Sequence, residues 1–332
     1  MSSLKIYYSN PYNLQPLNNS FIAKYLSKDF IEAKNNPNLV IEYVHKKLSK
    51  EYKNSPKKIL VSGENLYYKV NLFKVLEYIT KRTKINFSIL NKILPRKLLD
   101  IKLGNMRRDY LNRIKHIAKN PPQGEYAIIS NDIKGKNILN LPYFLQVKYI
   151  LDNINKLFNK KKISRVPNKF CCIIISNESA FDRIDFAKKL SGYKKVDIYG
   201  KTNLANADNS KLPKTWADNP KFYSQYKFVI CFENSFENEY ITEKLPNVML
   251  GGAIPIYRGA PNLKEYFNTS SFINFEDFKN SYVKMIQKII ELDKDDKKYL
   301  EFVNRECMTS KNRRKIRSKE EELKIFLKDV MR

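Results

Sequence analysis

The chain is poor in the residues that usually announce chemistry. Cysteine occurs only at Cys171, Cys172, Cys231 and Cys307 in 332 residues. There is no CxxC pair, and adjacent cysteines rarely bridge. Reduced, buried thiols in a reducing compartment are therefore expected rather than a disulfide scaffold. The two histidines, His45 and His116, lie far apart and make no metal pattern. Glycine is scarce too, at nine residues, and none of it forms a P-loop or a GxGxxG turn. No segment approaches the roughly 18 uninterrupted apolar residues of a membrane span. The start, MSSLKIYYSNPYN, has no positive region followed by an apolar stretch, so no signal peptide is expected. A location in the cytoplasm, or peripheral on the inner face of the cell membrane, follows as the expectation.

Acidic residues are also short: 34 against 62 Lys and Arg, a formal charge of +28. Such an imbalance speaks about partners and solubility, not fold. It is compatible with nucleic acid, with an anionic membrane surface, or with drift toward Lys and Asn combined with phosphate-bearing ligands. What is plentiful is aromatic: 22 Tyr and 19 Phe within a 42% hydrophobic chain. Disordered chains are poor in aromatics, so most of this one should fold, and its length suggests about two domains.

The pattern along the chain is α/β. LKIYY (4–8), the start of LVIEYVHKKL (39–48) and KILV (58–61) read as strands. Around 107–120, Tyr110, Ile114 and Ile117 share one helical face among basic residues. FCCIIIS (170–176) is apolar and β-branched, and a helix is expected over 178–193. YKFVICF (226–232), ITEKLPNVMLGG (241–252) and AIPIY (253–257) repeat the rhythm as strand, helix and strand. That order argues for βαβ units and a parallel sheet. Domains are expected at 1–155 and 156–300, with a basic helical tail at 301–332. The apolar component of the tail is Ile316, Leu323, Ile325, Phe326 and Leu327. The DKD at 293–295 fits an Asp-x-Asp shorthand for metal, but it lies in a charged run with no strand before it. It reads as a solvated helix face or turn.

CFENSFENEYITEK (231–244) contains Phe-Glu-Asn twice. In parallel sheets ligands sit beyond the carboxyl ends of strands, and helix N-termini there offer free N–H groups to phosphate. The first triplet closes a strand, so Glu233 and Asn234 fall at such a place. The second, 236–238, falls in a loop, and its similarity is incidental. Lys244 then stands at a helix start beside polar residues, where a phosphate would be met; the bland alternative is a surface lysine. Glu243 is suited either to sugar hydroxyls or to the helix N-terminus itself.

The run 226–262 resembles the signature of the α1,3/1,4-fucosyltransferases, glycosyltransferase family 10, and 169–200 resembles that signature's lead-in. The resemblance implies a GT-B glycosyltransferase of two facing Rossmann-like domains. It implies inverting transfer of fucose from GDP-fucose to a hydroxyl of N-acetylglucosamine or glucose, on an oligosaccharide or glycolipid acceptor. On the same basis Arg183, Asn234, Tyr240, Glu243 and Lys244 hold the donor: Arg183 grips the diphosphate, Tyr240 donates to a phosphate oxygen, and Glu243 accepts from ribose. SGEN (62–65) looks like the motif carrying the general base, Glu64, with Glu233 as the competing candidate. The aromatic–acid pattern that usually follows that motif is not clear in this chain, which leaves the acceptor open. No cofactor is required on this reading; a divalent ion is left as a stimulant. The basic tail implies an anionic membrane surface as a partner, and no nucleic acid is expected. Two alternatives stand: a relative using another GDP-sugar or acceptor, and, more distantly, a basic nucleic-acid-binding protein resting on the clusters at 107–119 and 311–319.

Overall fold

The computed structural model describes residues 4–9, 20–26, 30–33, 35–43, 52, 54–62, 104–130, 132–175, 181–200, 202 and 205–332. Gly63, Glu64 and Asn65 of the SGEN motif lie outside them. The chain divides into two compact units, one of 1–146 with 320–332 and one of 147–319.

The first unit holds β1 (Leu4–Ser9), β2 (Phe30–Glu32), β3 (Leu39–Tyr43), β4 (Lys58–Ser62), α1 (Gly104–Lys119), β5 (Glu125–Ile129) and β6 (Ile138–Asn140). The strands pair in the order β2-β1-β3-β4-β5-β6, every pair parallel. Leu39–Tyr43 is buried throughout, Glu42 included, as strands covered on both faces must be, and this is why it opens as the apolar run Leu39, Val40 and Ile41. Tyr110, Ile114 and Ile117 of α1 pack against Val40, Leu60, Ala127 and Ile129, as their spacing predicts. Each such side chain contributes roughly 1.5–3 kcal/mol by leaving water. The basic face of α1 is not all free. Arg113 donates from Nε to Glu125 Oε1 at 2.8 Å and from Nη2 to Oε2, while Tyr52 donates to the same carboxylate at 2.7 Å.

The second unit runs through α2 (Lys148–Asp152), α3 (Ile154–Phe158), β7 (Lys169–Ile175), α4 (Phe181–Ser191), β8 (Val196–Gly200), α5 (Asn219–Tyr223) and β9 (Tyr226–Ile230). It continues with α6 (Lys244–Gly251), β10 (Ile254–Tyr257), β11 (Ile273–Asn274), α7 (Tyr282–Lys294) and α8 (Asp296–Val303). The parallel sheet has the order β11-β10-β9-β7-β8. Alternate residues of β7 diverge: Cys171, Ile173 and Ile175 join a cluster with Phe186 and Leu190 of α4, Ile289 of α7 and Phe302 of α8. Phe222 of α5 packs instead on Tyr199 of β8, whose neighbour Ile198 faces that cluster. α6 starts with Pro246 in its first turn, where a missing N–H costs nothing. It ends at Gly252, whose φ of +76° is a left-handed cap that a side chain would strain.

The division falls at Gln146/Val147, ahead of the expected boundary at 155. The basic stretch taken for a linker belongs to the second unit. Asn304 accepts from Ile163 N at 2.7 Å and donates to Ile163 O at 2.8 Å, pinning it there. The basic helical tail is expected at 301–332. It forms α9 (Ser310–Met331), which contributes residues to 319 to the second unit and the rest to the first. Ile316, Leu323 and Leu327 are buried as expected; Ile325 is 61% exposed and belongs to the outer face.

Asp293 of the DKD run is buried rather than solvated, and Asp295 caps α8 by accepting from Lys298 N. Asp293 accepts from Tyr193 at 3.0 Å and Lys194 at 3.2 Å, and Lys227 Nζ lies 3.1 Å from its other oxygen. Burial pushes this carboxyl up, but the bonds from Lys227, Lys194 and Tyr193 overcome it and hold the pKa below aspartate's ordinary value. A depressed pKa stabilises the fold fully above about pH 3.9 and loses that contribution as the pH falls through the folded-state value. Asp293→Asn is expected to destabilise by about 1–3 kcal/mol at neutral pH in urea unfolding, through the bonds lost to Lys194, Lys227 and Tyr193, since Lys194 is half exposed and Lys227 keeps Asp296. The difference from the unaltered chain should shrink in acid.

Candidate donor site at the switch point of the second sheet

The chain goes from β7 to β8 in one direction along the sheet and from β9 to β10 in the other. Right-handed crossovers then send α4 and α6 to opposite faces, opening a crevice beyond the carboxyl ends of β7 and β9. Arg183 arrives there in the first turn of α4, and Asn234 arrives four residues after β9 ends at Ile230. The two meet: Arg183 Nη2 donates to Asn234 Oδ1.

Arg183 is only 5% exposed, and its Nε finds no hydrogen-bond partner among the described residues. Burial pushes its pKa down, and the neighbouring acidic groups Glu233, Tyr240 and Glu243 oppose that. Its sequence neighbours are engaged elsewhere. Asp182 pairs with Arg258 at 3.1 Å and Asp185 with Lys189 at 3.7 Å. A buried guanidinium with an unanswered donor costs roughly 1–3 kcal/mol unless a ligand acceptor completes it.

Glu233 follows β9 and is fully buried, its side chain 0% exposed. It accepts from Thr242 N at 2.8 Å, from Thr242 Oγ1 at 3.0 and 2.8 Å, and from Lys244 Nζ at 3.1 Å. Lys244 opens α6, with its side chain 24% exposed, and also donates to Thr242 Oγ1 at 2.9 Å. Glu243 is the residue before the helix, half-buried, and its carboxylate makes no capping bond to the helix N-terminus. Tyr240 is buried beside this group. Gly259 is needed for close approach: a Cβ there would lie 2.1 Å from Tyr257 Oη and 2.7 Å from Glu233 Cγ.

The two Phe-Glu-Asn triplets are inequivalent, as expected. Phe232 and Glu233 are buried and Asn234 is bonded, whereas Phe236 is exposed. The structure thus gathers Arg183, Glu233, Asn234, Tyr240, Glu243 and Lys244 at one end of the sheet; Glu64 lies outside the described residues. Three further residues were not singled out. Thr242 joins Glu233 to Lys244. Arg258 donates to Tyr282 Oη at 2.9 Å, and its guanidinium lies 4.2 Å from the Phe236 ring centroid and 4.6 Å from that of Phe275. Glu239, at φ +65°, receives Asn262 at 2.9 Å and Tyr266 at 2.7 Å, which fixes the loop that delivers Tyr240. A threonine two residues before the helix lysine is the sort of signal that points to the first. Nothing local marks the other two, whose hydrogen-bond partners lie 23 to 27 residues away in sequence.

Two parallel-sheet α/β units, one with Arg183 and Lys244 gathered at its switch point, define a GT-B-type architecture. Crystal structures of an alpha1,3-fucosyltransferase with GDP-fucose and with GDP share this fold. Their TM-scores are 0.60 and 0.61 at 19% and 18% identity, over 97% and 99% of this chain and 90% of each of theirs. Residues 164–325 match the family model described as Glycosyltransferase family 10 (fucosyltransferase) C-term. The 4-galactosyl-N-acetylglucosaminide 3-alpha-L-fucosyltransferase 9 of Mus musculus is 33% identical over 147 residues, 43% of this chain and 39% of the relative. The GDP-fucose protein O-fucosyltransferase 3 of Xenopus laevis is 34% identical over 164 residues, 45% of this chain and 33% of the relative. Over residues 164–325 the chain is similar to glycosyltransferase family 10. It spans about two fifths or less of the length of these curated relatives.

Proposed function

We propose that the protein is an inverting fucosyltransferase that moves fucose from GDP-fucose to a hydroxyl of N-acetylglucosamine or glucose on an oligosaccharide or glycolipid. The observation that carries this reading is the buried Arg183, tied to Asn234 and with Nε unanswered, at the switch point where Lys244 is also presented. A planar guanidinium suits bidentate phosphate binding, and a lysine supplies a second positive charge. Leaving-group charge on GDP is thus met by side chains, and we assign the metal no required part. Glu243, beside them and free of a capping bond, suits ribose hydroxyls, and Tyr240 suits a phosphate oxygen.

The base is assigned to Glu64 rather than Glu233. Both oxygens of Glu233 are buried and bonded to Thr242 and Lys244, so it could reach an acceptor hydroxyl only by giving up one of these bonds. A base must reach the proton it takes. Relatives named for an N-acetylglucosaminide and for a protein acceptor match at similar identity. This keeps a different acceptor as the second reading. The four buried free thiols support a cytoplasmic, reducing setting. Contact with an anionic membrane is retained only as an electrostatic proposal, since most apolar positions of α9 are buried in the protein. Among the described residues no helix is long and apolar enough to cross a membrane.

The test is direct. GDP-fucose is incubated with the protein and with lactose, N-acetyllactosamine, N-acetylglucosamine or a peptide panel, with and without EDTA. Release of GDP coupled to a fucosylated sugar is expected, and EDTA should leave activity in place. Product on peptide alone would shift the acceptor class, and no product on any acceptor would sink the transfer reaction.

A further inference from the structure

We infer that Thr242 and Glu233 are positioning residues that aim Lys244 at the donor phosphates through a buried hydroxyl relay. The inference rests on the donor reading above and deepens it. An ammonium has three N–H donors, and a hydroxyl has one donor and two acceptor lone pairs. Two of the Lys244 donors are accounted for, by Glu233 Oε2 at 3.1 Å and Thr242 Oγ1 at 2.9 Å. Thr242 gives its own proton to Glu233 and takes the Lys244 bond in return. The Lys244 backbone N–H also approaches Thr242 Oγ1, at 3.4 Å. One ammonium N–H remains, on a side chain that is partly exposed where Thr242 and Glu233 are not.

The carboxylate that anchors the relay is itself held on several sides. Glu233 N donates to Arg258 O at 2.8 Å, Thr242 N holds Oε1, and Gly259 leaves no slack beside Cγ. A free lysine loses much rotamer entropy when it meets a ligand. Here that freedom is already lost on folding, so the third N–H meets a phosphate at little further entropic cost. Burying Glu233 without Lys244 would leave an uncompensated charge, so the pair also explains why an acidic residue sits at the centre of a phosphate-facing site.

The alternative is that the relay only caps α6. A double-mutant cycle separates the two. The full chain is titrated calorimetrically with GDP as the unaltered protein, T242V, T242S, K244A and T242V with K244A. Thr242→Val keeps shape and removes the hydroxyl; it is expected to weaken GDP binding about tenfold. Thr242→Ser restores the hydroxyl and should bind close to the unaltered protein. In the K244A background Thr242→Val should add little. A loss of equal size in both backgrounds, or a T242S protein as weak as T242V, overturns the inference. If T242V does not fold, T242A carries the same cycle. An unaltered chain that takes up no GDP overturns the donor reading itself, and the two failures are thereby told apart.

Discussion

Replacing Glu64 with Gln is expected to lower turnover by about 10²–10⁴-fold while GDP-fucose binding is kept. Glutamine preserves shape and hydrogen bonding but cannot take the acceptor proton. The loss should therefore fall on kcat, with donor affinity by calorimetry unchanged. If Glu64 is the base, the unaltered protein should lose activity on the acid side as that carboxylate is protonated, and that limb should vanish in the variant. Turnover within a few-fold of normal would move the base elsewhere. Glu233 would be a poor heir, because proton transfer there would first have to break the bonds from Thr242 and Lys244.

Replacing Arg183 with Ala is expected to weaken GDP binding by about 100-fold or more. Charge-assisted bonds to phosphate are among the strongest available, and the guanidinium is already buried and aligned by Asn234. Arg183→Lys should rescue little, since a point charge cannot reproduce the fork. The substitution also removes a buried unanswered donor, so unfolding in urea should show little loss of stability or even a gain. Loss of binding together with retained stability identifies a ligand-binding group; equal losses in both would make Arg183 a structural residue. Guanosine, which lacks the diphosphate, should discriminate between the two proteins far less than GDP.

Much of the fold was legible because it is written locally. The apolar runs at Leu39–Tyr43 and Lys169–Ile175 became strands covered on both faces, and the Tyr110, Ile114, Ile117 spacing became the packed face of α1. The expectation that failed at DKD failed for a physical reason. Asp293 is buried by lysines from β9 and from the turn before β8, far away in sequence, so a charged run hid a desolvated ion pair. The domain boundary moved for a similar reason: the basic stretch looks like a linker, but the side chain of Asn304 claims it for the second unit. Ile325 was counted with the apolar stripe of α9 by composition, whereas its angular position puts it outside.

By itself the sequence determined which groups could do the chemistry: the Phe-Glu-Asn strand end, the Glu-Lys helix start and a lone arginine in the lead-in helix. Side-chain identity and short-range periodicity are enough for that, because strand ends and helix starts are set within a few residues. Only the tertiary structure decided which of these groups are free to act. Crossing of the chain at the switch point brings Arg183 to Asn234 and leaves its Nε open, while burial beside Gly259 commits Glu233 to Thr242 and Lys244. Whether a carboxylate is a base or an anchor depends on the solvent and donors around it, and these come from parts of the chain that no local pattern connects.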